Sequence, residues 1–431
     1  MKKTFLAASV IGCAAGASAQ SSVTLFGVLD TGVSYYNTTS EFYNNTNRVI
    51  LPPALATEIG IHQTVLSNSN TLNSRLGFRG TEDLGGGLSA SFWLESGLAT
   101  DTGLGNGPGG TIIFNRRSTV SLSSSLGEVR LGRDFTPTFW NDSIFSPFST
   151  IGVAANVIST IGTNLAVVKG PGSAVAASDN YLRTSNSIGY FLPANLGGFY
   201  GQLQYAFPEN ISQSNVPGTP SNKGQFYGGR AGYASGPLDV AVAYAVSDAA
   251  NTTGLNPAGL PTFVNLDEKI KTLNVGASYN FQFVKIFGEF SQVKDQSRST
   301  TPNPLLGLLV TRGSGKYTGG LLGATVPVGP GLIKAAYSTV KFDNASGSAT
   351  PFAPKRDASV DKFGLGYEYN FSKRTAVYAT AAYIRVKDGQ NNPSIMGATA
   401  GTAPYISTGA GVSGYAPSKS TGYDFGIRHS F

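Results

Sequence analysis

The chain of 431 residues is poor in charge, with 13% Asp, Glu, Lys or Arg, and holds one cysteine and two histidines. Cys13 lies near the start, so a chain cut after residue 19 forms no internal disulfide. Acyl-transfer chemistry usually sets an oriented imidazole beside a nucleophile or acid. His62 falls in a polar, loop-like stretch and His429 on the apolar face of the final strand, neither with a recognisable partner motif. No Cys/His spacing suits a metal, and Gly315-Lys316 lacks the upstream glycine and the following hydroxyl of a phosphate loop. The adjacent acids Glu82-Asp83 read as the cap of a turn. Neither an enzyme nor a metal or cofactor protein is expected. The formal net charge is +7, falling to +5 without Lys2 and Lys3, yet no Lys/Arg-rich block tracks nucleic acid, so that partner is not expected either. Past residue 19 no run of 18 apolar residues occurs, so no helix spans a membrane.

What is present is a leader and many short alternating segments. Met1–Ala19 has a basic start, the apolar core Phe5–Ala15 and the small triplet Ala17-Ser18-Ala19, the composition of a secretory signal peptide cut before Gln20. Val10-Ile11-Gly12-Cys13 also fits a lipoprotein box, but strand alternation begins at Ser22 with no tether after the cysteine. Residues 1–19 are thus a signal peptide and 20–431 one mature domain. Its 55 glycines, 20 tyrosines and 25 phenylalanines suit short strands joined by turns.

The clearest hairpin is Ser74–Leu98. Leu76 and Phe78 alternate with Arg75, Gly77 and Arg79. Leu88, Ala90, Phe92 and Leu94 alternate with Ser89, Ser91, Trp93 and Glu95 across the glycine-rich turn Thr81–Gly87. Ser22–Asn37 alternates in the same way, and Thr38–Leu72 reads as a loop. After the glycine-rich loop Ala99–Ile113, Asn115–Ser123 pairs with Glu128–Arg133. A long connection from Asp134 to about Asn180 follows. Pairs then resume: Leu182–Pro193 with Gly198–Phe207, Gln225–Ala234 with Leu238–Ser247, and Lys269–Tyr279 with Val284–Lys294. Lys316–Val326 pairs with Leu332–Lys341, Ser359–Tyr369 with Thr375–Val386, and Ser420–Phe431 ends the chain.

This gives an all-β fold of 16 strands, with seven short turns alternating strictly with eight longer connections. One rim is trimmed close and the other carries loops, as in an outer-membrane barrel. An even number returns both termini to the short-turn rim, where first and last strands can pair. Closure is required, because hydrocarbon leaves an open sheet edge with unpaired amides. An arginine on the lipid face near the midplane costs roughly 2–4 kcal/mol, so Arg75 and Arg79 are expected to point inward. A ring of about 16 strands is too wide for side chains to fill, so the bore holds water.

SRLGFRGTEDLGGGLSASFWLESG resembles the first periplasmic hairpin of the Gram-negative general porins, in particular the β-proteobacterial branch. SSVTLFGVLDTGVSYYN resembles that family's first strand, FNRRSTVSLSSSLGEVRLGRD its fourth and fifth, and YLRTSNSIGYFLP its sixth. The resemblance spans Gln20–Phe431 and implies a trimeric 16-stranded transmembrane β-barrel in the outer membrane, reached by export. It implies that the third extracellular loop, here Asp134–Asn180, folds into the lumen. The apolar middle of that loop, Ser149–Val168, agrees with packing on the inner wall rather than with a free surface loop.

Carried over residue by residue, three pore-wall arginines match Arg75, Arg116 and Arg183. Alternation agrees for Arg75 and Arg183, but places Arg117 rather than Arg116 on the polar face, so both readings stand. With Arg79 these form the expected basic wall. Asp134 and Asp142 are expected on the acidic loop side, beside Asp179 and Lys169. A basic wall facing few acids favours anions, each contact being worth about 1–4 kcal/mol at ~4 Å. The implied function is passive diffusion of small hydrophilic solutes and ions, with anion preference. A substrate-specific outer-membrane channel is the alternative, and a secreted soluble sandwich a third reading. Trp93 either narrows the lumen or, through a local slip, faces lipid. The expected partners are lipid and lipopolysaccharide, two further copies of the chain, small anions, and the outer-membrane assembly machinery. The last would read the terminal strand ending in Phe431.

Overall fold

The computed structural model describes residues 22–44, 57–169, 180–209, 224–248, 254–255, 261–262, 265–303, 307–344, 357–401, 405–408 and 413–431. Residues 1–21, which include the expected leader, and residues 170–179 of the long connection, Asp179 included, lie outside them. The first half of the sheet comprises β1 (Ser22–Asn44), β2 (Arg75–Gly85), β3 (Leu88–Ala99), β4 (Arg117–Ser124), β5 (Gly127–Phe135), β6 (Arg183–Phe191), β7 (Phe199–Ala206) and β8 (Phe226–Ser235). The second comprises β9 (Leu238–Asp248), β10 (Asn265–Asn280), β11 (Lys285–Asn303), β12 (Gly307–Val328), β13 (Gly331–Asn344), β14 (Ala358–Asn370), β15 (Thr375–Lys387) and β16 (Ser413–Ser430). Each pairs antiparallel with the next, and β16 pairs with β1 from Val28↔Ser430 to Asn44↔Ser413. The ring of sixteen is therefore closed, as a sheet wall in hydrocarbon requires.

The two faces separate as the period of two requires. Val120, Leu122, Leu203, Leu322, Phe363 and Phe425 are exposed on the outside, while Thr119, Ser121, Gln204, Asn274 and Asp424 are buried on the inside.

The expected loop Thr38–Leu72 is only partly a loop. β1 runs on to Asn44, and Glu58–Asn68 pairs with it from Thr31↔Asn68 to Glu41↔Glu58, ahead of β2 along the same edge. Similarly, β11 runs to Asn303, β12 begins at Gly307 and β16 at Ser413. A backbone ladder continues wherever strands stay in register. The apolar alternation that reveals a strand in sequence is imposed only where lipid touches it.

The long connection after β5 enters the ring. Pro137 opens helix α1 (Pro137–Ile144), and Thr136 caps it by accepting from the Phe139 amide at 3.3 Å. Phe145, fully buried, lies against Gly276 of β10, where a Cβ would collide with its ring. Gly152 turns the loop with φ +77, and a Cβ there would collide with the Asn70 carbonyl. Helix α2 (Val157–Lys169) then buries Val157, Ile158, Ile161 and Leu165, a stripe at helical spacing. Their counterparts on the wall include Leu321, Val340, Val360 and Ile384. Four such side chains bring about 6–12 kcal/mol of gross transfer free energy to the seating of the loop.

Residues 388–401, between β15 and β16, also fold inward. Their short helix α3 (Pro393–Met396) buries Ile395 in the same cluster, and the Ser394 carbonyl accepts from Asn164 Nδ2 of α2 at 3.0 Å.

Candidate functional site

The loop and the β2–β5 wall enclose a cavity of about 330 Å³. Arg75, Trp93, Glu95, Arg116 and Arg117 line it from the wall. Phe135 lines it from the end of β5, and Phe139, Trp140, Ser143, Ser149 and Ile151 from the loop. Arg75 and Trp93 arrive by strand alternation from β2 and β3. Arg117 is the first residue of β4, and Arg116 precedes it in a bend. Arg116 is thus free of the strand's alternation, and both guanidinium groups turn to the same cavity.

Glu95 organises the cluster. It is 5% exposed, and its Oε1 lies 2.5 Å from Arg116 Nε and 3.7 Å from Arg75 Nε. Trp93 Nε1 donates to its Oε2 at 3.1 Å. Arg117 sits 4.5 Å above the Trp93 ring and 3.6 Å from Asp134. Trp93 therefore faces the lumen, and the β2–β3 register runs unbroken through Arg79↔Trp93. Three guanidinium groups and one carboxylate line the cavity, so its lining carries a net positive charge.

The other arginines named from sequence are placed differently. Arg79 lies four residues along β2 toward the turn, 5.4 Å from the Phe26 ring and 5.3 Å from Trp93, outside the cavity lining. Arg183 lies 4.4 Å over Phe135, whose ring Arg116 also approaches at 5.9 Å. Arg183 thus joins the cluster through that ring and does not line the cavity.

Among the described residues, neither acid expected on the loop side lines the cavity. Asp134 belongs to β5, on the wall, where Arg130 Nη1 lies 2.5 Å from it. Asp142 is on the loop, but α1 turns it into the seam with the wall, 1% exposed. There it accepts from Asn274 Nδ2 at 2.7 Å and from the Tyr181 hydroxyl. Asn156 Nδ2 donates to Glu289 Oε2 at 2.6 Å. Burial raises the Asp142 carboxyl above its ordinary value, with the hydrogen bonds opposing. Burial, then the adjacent Asp142, likewise raises the Tyr181 phenol. Asp142 is a fastening of the loop and not a wall of the hole. What faces the arginines is aromatic rings and hydroxyls.

Sequence reasoning placed Glu95 and Trp93 on the polar face of the hairpin, giving Glu95 no role and leaving Trp93 between narrowing the lumen and facing lipid. It overlooked Arg230, whose Nε donates to Asn141 Oδ1 at 2.5 Å and ties β8 to α1. No signal short of the folded loop identifies that pair. Below the cavity the wall charges continue in ion pairs: Glu368 with Lys334 at 3.1 Å and with Arg428 at 2.7 Å, and Glu128 with Arg130 at 3.0 Å.

A closed transmembrane barrel with an apolar outside, a polar bore and a loop narrowing it defines an outer-membrane channel. The model of the Gram-negative porins matches residues 6–389, and the chain belongs to that family. It is 35% identical over 433 residues to outer membrane porin protein 32 of Delftia acidovorans, covering all of both chains. It is 28% identical to an outer membrane porin protein of Bordetella pertussis, over 89% of this chain and 94% of that one. Among solved structures it resembles the anion-selective porin from Comamonas acidovorans, with a TM-score of 0.67 and 32% identity. That match covers 96% of this chain and 100% of the other. The protein is an outer-membrane porin of a Gram-negative bacterium.

Proposed function

We propose that this porin passes small hydrophilic solutes with a preference for anions, and that Arg75, Arg116 and Arg117 set the preference. One observation carries the reading: these three guanidinium groups share a cavity whose lining holds a single carboxylate, Glu95. Arg183 and Arg79 extend the basic wall above Phe135 and below Trp93. Asp134 and Asp142 act within it as a wall counter-ion and a loop fastening. The similar Comamonas protein is an anion-selective porin, which agrees with this reading.

The test is substitution of Arg75 and Arg117 by Gln, singly and together, with zero-current potentials measured in a KCl gradient. The chloride preference is expected to fall with each change. A preference that the double variant leaves untouched would remove these residues from the account. We propose further that the working form is a homotrimer in a leaflet rich in lipopolysaccharide, inserted by machinery that reads the terminal strand. Tyr423, Phe425 and Ile427 present its exposed apolar face. A heat-sensitive oligomer band on electrophoresis would agree, and a monomer in mild detergent would not.

A further inference from the structure

The eyelet holds more aromatic surface than passage of inorganic anions requires. Four rings, those of Trp93, Phe135, Phe139 and Trp140, line the same cavity as the three guanidinium groups. Phe135 and Phe139 stack with centroids 5.5 Å apart and an 8° tilt, and Trp140 leans on Phe135 at 5.4 Å. Chloride or phosphate gains nothing from such a wall, because weakly polar rings return none of the hydration these ions lose.

The guanidinium groups are not equally engaged. Arg116 is held by Glu95 at 2.5 Å with 10% of its side chain exposed. Arg75 stands 3.7 Å from the same oxygen, its Nη1 donates to the Asn73 carbonyl at 3.3 Å, and its side chain is 25% exposed. Arg117 lies face-on to Trp93 at 4.5 Å, leaving its planar fork beside a ring. A charged fork next to aromatic faces suits a ligand that is an anion at one end and a flat ring at the other. A cavity of about 330 Å³ falls at the lower end of the range for small-molecule sites.

We infer that the constriction is also a weak recognition site for planar aromatic monocarboxylates. The carboxylate engages Arg75, and the ring slides between Trp93 of the wall and Trp140 of the loop. Ser143 adds a hydroxyl at the rim. The inference rests on the anion-preferring reading above and names a solute class for it.

The experiment is block of chloride current through the reconstituted porin by benzoate and by cyclohexanecarboxylate. The two share a charge and nearly a size, but only one ring is flat and aromatic, and the saturated ring is the more hydrophobic. Aromatic pairing is expected to make the half-blocking concentration of benzoate about two- to tenfold lower. In Trp140→Leu the ratio of the two half-blocking concentrations is expected to approach one. Because both blockers are read in the same channel, altered conductance of the variant cancels from the ratio. If that variant yields no channels, the wild-type ratio decides alone. Equal block by the two acids, or block by neither, overturns the aromatic site while a chloride preference leaves the anion reading in place. A wild-type channel that prefers potassium overturns both.

Discussion

Glu95→Gln is the substitution for which the structure makes the sharpest quantitative prediction. Glu95 is the one acid in the cavity lining, and the amide retains an acceptor for Arg116 Nε while removing the charge. An ion touching the Arg75 guanidinium lies roughly 7 Å from the carboxylate behind it, where a unit charge is worth about 0.6 kcal/mol at the dielectric constant of water. Removing that charge favours an anion and disfavours a cation, so their difference changes by about 1.2 kcal/mol, an eightfold shift. Screening over a Debye length of about 10 Å at 0.1 M salt roughly halves the energy, leaving about threefold. The water value applies because the bore is wet, and a drier constriction gives a larger shift. The chloride-to-potassium permeability ratio, from zero-current potentials at two salt concentrations, is the assay. A rise of about threefold at 0.1 M that shrinks at 1 M is expected. A fall, or no change at either concentration, would mean that Glu95 does not act on the permeating ion. Removing one partner of a buried pair also destabilises the wall, so the variant is expected to melt earlier without losing its fold.

Two further predictions concern the loop. The Asp142 carboxyl is raised by burial, so its contribution to loop seating is complete below the ordinary carboxylate range near 4 and is lost as pH rises through the folded value. Hydrogen exchange of the α1 amides is expected to quicken with rising pH by no more than about tenfold per unit for one proton, after correction for intrinsic exchange. Asp142→Asn, which carries no titrating group there, should flatten that dependence; an unchanged slope would show that another group sets it. Deleting residues 151–168 removes α2 and the stripe Val157, Ile158, Ile161 and Leu165 from the wall. Single-channel conductance is expected to rise, and an unchanged value would show that this segment does not narrow the bore.

The wall was largely legible in the sequence because lipid imposes a rule with a period of two. Leu76 and Phe78 against Arg75 and Arg79 required no knowledge of the partner strands. Glu58–Asn68 was not legible, since side chains beyond the hydrocarbon are under no such demand. The orientation of Asp142 was not legible either. It depends on the phase of α1, which is set by Phe145 reaching Gly276 and by Arg230 reaching Asn141, contacts 131 and 89 positions away in the chain. Arg116 shows the boundary between the two cases. Alternation applies from Arg117 onward, and the residue before a strand answers to its bend. Counting the acids near the loop does not say which way each one points.

The measurement closest to the central claim is the zero-current potential of the wild-type protein in a planar bilayer between unequal KCl solutions. Three guanidinium groups facing rings and hydroxyls predict a potential of the sign set by chloride, larger in dilute than in concentrated salt. A potential of the sign set by potassium would contradict the account.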